Sequence, residues 1–114
     1  METTDIKTKA SYKILEPDKF RDEIKSPDVY LLDVRTTEEF NAGHIENAHN
    51  LDVTQPSFVE SAKEILPKDK IIAVYCKSGK RAGQAADILS GIGYDVIDLQ
   101  GGIEGWIAAG LPTV

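Results

Sequence analysis

Two nearly continuous apolar runs, Val29–Val34 and Ile71–Tyr75, constrain the fold of this chain more than any other feature. A strand that is apolar on both faces is typical of a parallel sheet covered by helices on both sides. Three shorter strand-like segments lie at Tyr12–Leu15, Ala48–Val53 and Val96–Leu99. The pattern therefore predicts a sheet whose central strands are buried on both faces.

Helix-like segments alternate with these strands. Pro17 suits the first position of a helix, where its missing N–H has no intrahelical partner to lose. Thr36 and Glu39 have the spacing of a capping box, which predicts a short helix starting there. Further helices are predicted from Phe58 to Pro67, from near Ala82 to Gly93, and around Trp106. Strands alternating with helices predict a single α/β domain with a mostly parallel sheet.

Length and composition limit the function classes. The chain of 114 residues suits one domain, which we assign to residues 11–114, with a flexible polar segment at 1–10. Its net charge of -6 argues against a nucleic-acid partner. No apolar run reaches the roughly 18 residues that cross a membrane, and no signal-peptide core is present, so we expect a cytoplasmic protein without a membrane partner.

The only cysteine, Cys76, directly follows the clearest buried strand. Ligands of open parallel sheets bind beyond the carboxyl ends of the strands, which is where this cysteine should lie. Gly79 allows a tight turn before the next helix, and such turns collect backbone N–H groups into an anion-binding concavity. The segment therefore predicts an anion site beside a thiol.

Three cations, Lys77, Lys80 and Arg81, follow this cysteine within five residues in an otherwise acidic chain. Cations and a helix N-terminus favour thiolate, the nucleophilic form of cysteine. A lone cysteine is more often a small buried hydrophobe, but strand end, glycine, cations and helix start coincide here. We therefore interpret Cys76 as a nucleophile whose loop stabilises negative charge.

The length of the loop bears on which anion it accepts. The tyrosine-phosphatase signature places an arginine six residues after its cysteine, but position 82 of this chain is alanine. Arg81 lies only five residues after Cys76, which leaves a smaller cradle. This spacing disfavours a phosphate ester as the substrate.

Three segments in order resemble the rhodanese family, the thiosulfate sulfurtransferases and their single-domain relatives. They are the loop CKSGKRA, the segment LLDVRTTEEFNAGHIENAHNLD from Leu31 to Asp52, and LQGGIEGWIAAGLP from Leu99 to Pro112. The resemblance implies a rhodanese-like α/β fold with a central five-stranded, mostly parallel sheet flanked by helices. Asn47 departs from the family, which commonly has glycine there, but asparagine tolerates the left-handed conformation that such a turn needs.

The resemblance also implies an activity. Cys76 would take sulfur from thiosulfate or a similar anionic donor as a persulfide and pass it to cyanide or a thiol, without a metal or organic cofactor. The implied substrate-binding residues are Lys77, Ser78, Gly79, Lys80, Arg81 and Ala82, and we expect Lys80 and Arg81 to lie in an exposed loop. Two alternatives stay open: a persulfide relay or binding module for a protein partner, and a phosphatase or arsenate reductase on the same loop.

Other polar residues near the strand ends have structural interpretations. Asp33 and Arg35 follow the first long strand and are candidates for the pocket. We favour a structural ion pair for Arg35, with Glu38 or Glu39 as its partner, because most charged pairs do no chemistry. We expect Trp106 to pack in the core.

Overall fold

A computed structural model of the chain describes residues 12–114, so the segment 1–10 that was predicted to be flexible lies outside the described residues. The strands are β1 (Lys13–Leu15), β2 (Val29–Asp33), β3 (His49–Asn50), β4 (Ile71–Tyr75) and β5 (Val96–Leu99). The helices are α1 (Pro17–Glu23), α2 (Thr37–Ala42), α3 (Phe58–Ile65), α4 (Lys80–Gly91) and α5 (Gly102–Ala108).

The five strands form one sheet in the order β1-β5-β4-β2-β3. Every neighbouring pair is parallel, which confirms the predicted α/β fold. β4 lies at the centre, with Ala73 paired to Leu31 of β2 on one side and to Ile97 of β5 on the other. Because all strands run the same way, their carboxyl ends meet at one edge of the sheet, and Cys76 lies at that edge.

Apolar side chains cover both faces of the sheet, as predicted from the strands that carry apolar residues on both faces. On one face Leu32 and Val74 pack with Phe58 of α3 and Leu89 of α4. On the other face a second cluster contains Phe20, Leu31, Ala73, Tyr75, Leu99, Ile103 and Trp106. Trp106 is buried as expected, since its ring meets Phe20 edge-on at 6.4 Å between centroids. None of the described helices is long and apolar enough to cross a membrane.

Local signals in the sequence are reproduced closely. Pro17 is the first residue of α1, and Thr36 forms the complete capping box with Glu39 at the start of α2. Asn47 has a φ of 73°, so the turn keeps the left-handed conformation for which asparagine is suited.

The third strand is shorter than predicted. The regular strand covers only His49–Asn50 instead of Ala48–Val53, although the N–H groups of Leu51 and Val53 still donate to carbonyls at the end of β2 and just after it. The chain turns soon afterwards because the Asp52 carboxylate accepts hydrogen bonds from the N–H and hydroxyl of Thr54. This side-chain turn competes with the extended conformation that the apolar pattern favours.

Asp98 is an acidic side chain buried in β5, with 4 % of its surface exposed. Its Oδ1 has no hydrogen-bond partner among the described residues. Burial raises the pKa of Asp98 from 3.8 to about 7. The folded protein therefore keeps this proton while the unfolded chain loses it, so stability falls as the pH rises from about 4 to about 7 and then levels off.

We predict that Asp98→Asn stabilises the fold at about pH 8, by on the order of 2 kcal/mol, and much less at about pH 4. The amide removes the buried ionisation and keeps the shape of the side chain. Urea denaturation at both pH values measures the change in the free energy of unfolding. The exposed neighbour Asp95, changed to Asn, is the control and should show little effect. An equal effect of Asp98→Asn at both pH values would contradict the prediction.

Candidate active site

The thiol of Cys76 lies at the carboxyl end of the central strand, inside a tight turn. We call residues Cys76 to Gly79 the Cys76 loop. The cysteine is 1 % exposed, and its Sγ accepts a hydrogen bond from the Gly79 N–H at 3.0 Å. Gly79 has a φ of 121°, a backbone conformation that residues other than glycine rarely adopt. The glycine thus turns the chain so sharply that a backbone N–H points at the sulfur.

The first turn of α5 holds the carbonyl groups of the Cys76 loop. Ile103 N–H donates to the Cys76 carbonyl at 2.8 Å, and Glu104 N–H donates to the Lys77 carbonyl at 3.0 Å. In a trans peptide the N–H and C=O point in opposite directions. The N–H groups of Lys77 and Ser78 are therefore directed away from α5, which is the orientation that an anion-binding concavity needs.

Gly102 allows this close contact between α5 and the Cys76 loop. A Cβ at this position would lie 2.5 Å from the Lys77 carbonyl oxygen and 2.6 Å from that of Cys76. The residue also has a φ of 63°. In the sequence Gly102 stands out only as part of the segment Leu99–Pro112 that resembles the family, and its role was missed because the contact joins segments that are distant in the chain.

Helix α4 begins at Lys80, not near Ala82 as predicted. The positive φ of Gly79 lets the turn finish within fewer residues, so Lys80 and Arg81 belong to the first helical turn. The Ala82 side chain is fully buried in the core beneath the helix. With none of its surface exposed, Ala82 offers no accessible group to a ligand of the loop, contrary to the substrate-binding role that the resemblance implies.

The three cations differ in their surroundings. Lys77 and Lys80 are exposed, as is Ser78 between them. Lys77 Nζ lies 4.0 Å from Glu104 Oε2, an exposed pair of small energetic weight. Arg81 does not lie in an exposed loop, contrary to expectation, because its guanidinium is half-buried against Glu39, with Nη1–Oε1 2.6 Å and Nη2–Oε2 3.0 Å.

Arg35 forms a buried ion pair, but the predicted partner was wrong. Its Nη2 binds Asp33 Oδ2 at 2.7 Å, and its Nε binds Asp33 Oδ1 at 3.0 Å. The same Nη2 also donates to the Gly43 carbonyl at 2.6 Å. Glu39 is engaged by Arg81 instead. Asp33 and Arg35 thus fasten the end of β2 to the segment after α2.

The contacts of His44 are those of a structural residue. Its ring stacks on Phe40 with 3.9 Å between centroids, and its Nδ1 is 2.9 Å from the Phe40 carbonyl. Its backbone pairs with that of Val114 in both directions. His44 therefore holds the C-terminal segment in place.

Comparisons with known proteins agree with this architecture. The family model described as "Rhodanese-like domain" matches residues 16–109. A protein of Allochromatium vinosum named "Sulfurtransferase" is 39 % identical over 88 residues, which are 76 % of this chain and 79 % of that protein. A tRNA uridine(34) hydroxylase of Staphylococcus carnosus is 33 % identical over 80 % of this chain, but the match spans only 30 % of the hydroxylase.

A solved structure shows the same fold. The crystal structure of a rhodanese-related protein from Thermoplasma volcanium superposes with a TM-score of 0.79 and 34 % identity, covering 90 % of this chain and 98 % of that one.

We predict that Gly102→Ala displaces the Cys76 loop, since its Cβ cannot fit between the two carbonyl groups. The rate at which iodoacetate alkylates Cys76 should fall about tenfold or more, because misplacing a reactive group by about 1 Å is costly. Mass spectrometry follows the reaction. The control is Gly110→Ala, where φ is also positive, 82°, but no atom lies within 4 Å of the added Cβ. Equal alkylation rates in the two variants would show that the contact at Gly102 does not hold the loop.

Proposed function

The chain belongs to the rhodanese-like family, and on this basis we propose that it is a sulfurtransferase that carries sulfur as a persulfide on Cys76. The observation that carries the proposal is the geometry of the Cys76 loop. Its carbonyl groups are held by α5, and the Gly79 N–H points at the sulfur. A thiolate and then a persulfide anion can both be stabilised by N–H groups arranged in this way.

In the first step the Cys76 thiolate attacks the outer sulfur of thiosulfate or a comparable anionic donor. A sulfur–sulfur bond forms to Sγ while the sulfur–sulfur bond of thiosulfate breaks, and its electron pair leaves with sulfite. The Cys76 persulfide anion remains in the loop. Charge is conserved, since a monoanion and a dianion give a monoanion and a dianion.

In the second step an acceptor attacks the outer sulfur of the persulfide. Cyanide would leave as thiocyanate, and a thiolate would leave as a persulfide. The bond between the two sulfurs breaks, and its electron pair returns to Cys76 as thiolate. The cycle needs no external oxidant or reductant, because sulfane sulfur is transferred without a net change in the enzyme.

In our proposal the residues of the loop and its surroundings have different roles in sulfur transfer. The N–H groups of Lys77, Ser78 and Gly79 would stabilise charge on the donor and on the persulfide. Exposed Lys77 and Lys80 would attract the anion across a surface whose net charge is -6. Lys77, Ser78 and Lys80 form the exposed rim of the loop, where the Ser78 hydroxyl can donate a hydrogen bond to a bound oxyanion.

A persulfide relay to a protein partner is the second candidate. The thiol itself is buried, whereas Lys77, Ser78 and Lys80 around it are exposed. The outer sulfur of a persulfide would lie about 2 Å beyond Sγ, and in this proposal it points toward the exposed rim. A protein thiol could then reach the transferred sulfur without entering the loop.

We predict that intact mass increases by one sulfur atom after incubation with thiosulfate and returns to its starting value after cyanide. Cys76→Ser should show neither change and no turnover, because the serine hydroxyl cannot form a persulfide. A wild-type chain that gains no sulfur from thiosulfate or from a protein persulfide donor would contradict the proposal. Hydrolysis of an aryl phosphate, dependent on Cys76, would favour the phosphatase alternative instead.

A further inference from the structure

Arg81 is one of the three cations that the sequence analysis assigns to anion binding, yet its charge is already paired with a carboxylate. Its two terminal nitrogens meet both carboxylate oxygens of Glu39, at 2.6 Å and 3.0 Å. This fork-to-fork geometry is the strongest arrangement for an arginine–carboxylate pair. A donor anion that recruited Arg81 would first have to break both bonds.

Glu39 is itself fixed before it meets Arg81. Its Oε1 accepts from the Thr36 N–H and the Thr36 hydroxyl, both at 3.1 Å, within the capping box of α2. The bond from Arg81, followed by those from Thr36, lowers the pKa of Glu39 from 4.5 to about 2. The carboxylate therefore stays ionised, and the pair stays formed, throughout the neutral pH range.

The pair connects the first turns of two helices that follow neighbouring strands. Glu39 belongs to α2, which follows β2. Arg81 is the second residue of α4, two residues after the Gly79 whose N–H donates to Cys76 Sγ. A shift of the first turn of α4 would carry the Gly79 N–H away from the sulfur.

From these contacts we propose that Glu39 and Arg81 form a positioning pair that sets the geometry of the Cys76 loop, and that Arg81 does not bind the donor anion. The inference rests on the proposed sulfur transfer and deepens it. In this proposal Lys77 and Lys80 attract the anion, and the backbone N–H groups of the Cys76 loop bind it. Such a cradle suits a small oxyanion that approaches from the exposed rim.

A double-mutant cycle tests this division of roles. Glu39→Gln keeps the shape and the capping box but removes the charge that orders Arg81. We expect Glu39→Gln and Arg81→Ala each to lower kcat about tenfold with KM for thiosulfate changed less than about twofold. The double variant should be no worse than either single one, since both act through the same contact.

Two further variants serve as controls for the double-mutant cycle. Glu38→Gln removes the same charge from an exposed neighbour and should leave kcat and KM unchanged. Lys80→Ala, at the exposed rim, should raise KM for thiosulfate and leave kcat nearly constant. This split separates an anion-attracting residue from a positioning one.

Opposite changes in KM would overturn the inference. If Arg81 binds the donor, Glu39→Gln frees it and lowers KM, whereas Arg81→Ala raises KM. Additive losses of kcat in the double variant would likewise show that the two residues act separately.

The rate of Cys76 alkylation by iodoacetate, measured on the same variants, keeps this test separate from that of the proposed function. If the wild-type chain accepts no sulfur, the proposed activity fails, but a non-additive loss of alkylation rate still supports the positioning pair. Alkylation rates that match the wild type in both single variants would overturn it.

Discussion

Two hydrogen bonds from the first turn of α5 to the Cys76 loop are the contact on which the site depends. They occupy the carbonyl groups of Cys76 and Lys77, and so direct the N–H groups of the following peptides to the other side. A loop whose carbonyl oxygens faced the thiol would repel both a thiolate and an anionic donor. α5 can supply these bonds because Gly102 lets it approach the loop backbone and because Trp106 anchors it in the core.

The parallel sheet makes this contact possible by bringing the ends of its strands to one edge. β4 delivers Cys76, and β5 beside it leads directly into the turn before α5. On the other side of β4, the end of β2 is fastened by the Asp33–Arg35 pair. Rigid elements on both sides thus define where the small loop lies, which is how a short backbone segment can be held accurately.

The sequence predicted those parts of the structure that depend on neighbouring residues. The two-faced apolar runs identified β2 and β4, and Thr36 with Glu39 identified the start of α2. The resemblance to the rhodanese family, carried by three ordered segments, is confirmed by the family match over residues 16–109.

Predictions from the sequence were wrong or incomplete where a contact joins distant segments of the chain, and where a single backbone angle sets the start of a helix. The start of α4 was misplaced because the φ of Gly79 is not visible in the residue pattern. The partner of Arg81 is separated from it by 42 positions, so no local spacing points to Glu39. Arg35 was assigned a helical partner, whereas the strand end brings it to Asp33, two residues away.

We propose that the backbone N–H groups of the Cys76 loop, oriented by α5, form the anion site. A titration of the protein with sulfite, followed by amide proton and nitrogen chemical shifts, tests it most directly. We expect the largest saturable shifts at Lys77, Ser78 and Gly79, with little change at Ile103 and Glu104, whose N–H groups are already bonded to the loop. Shifts concentrated elsewhere, for example around Lys70, which precedes β4 at the opposite end of the sheet, would contradict this proposal.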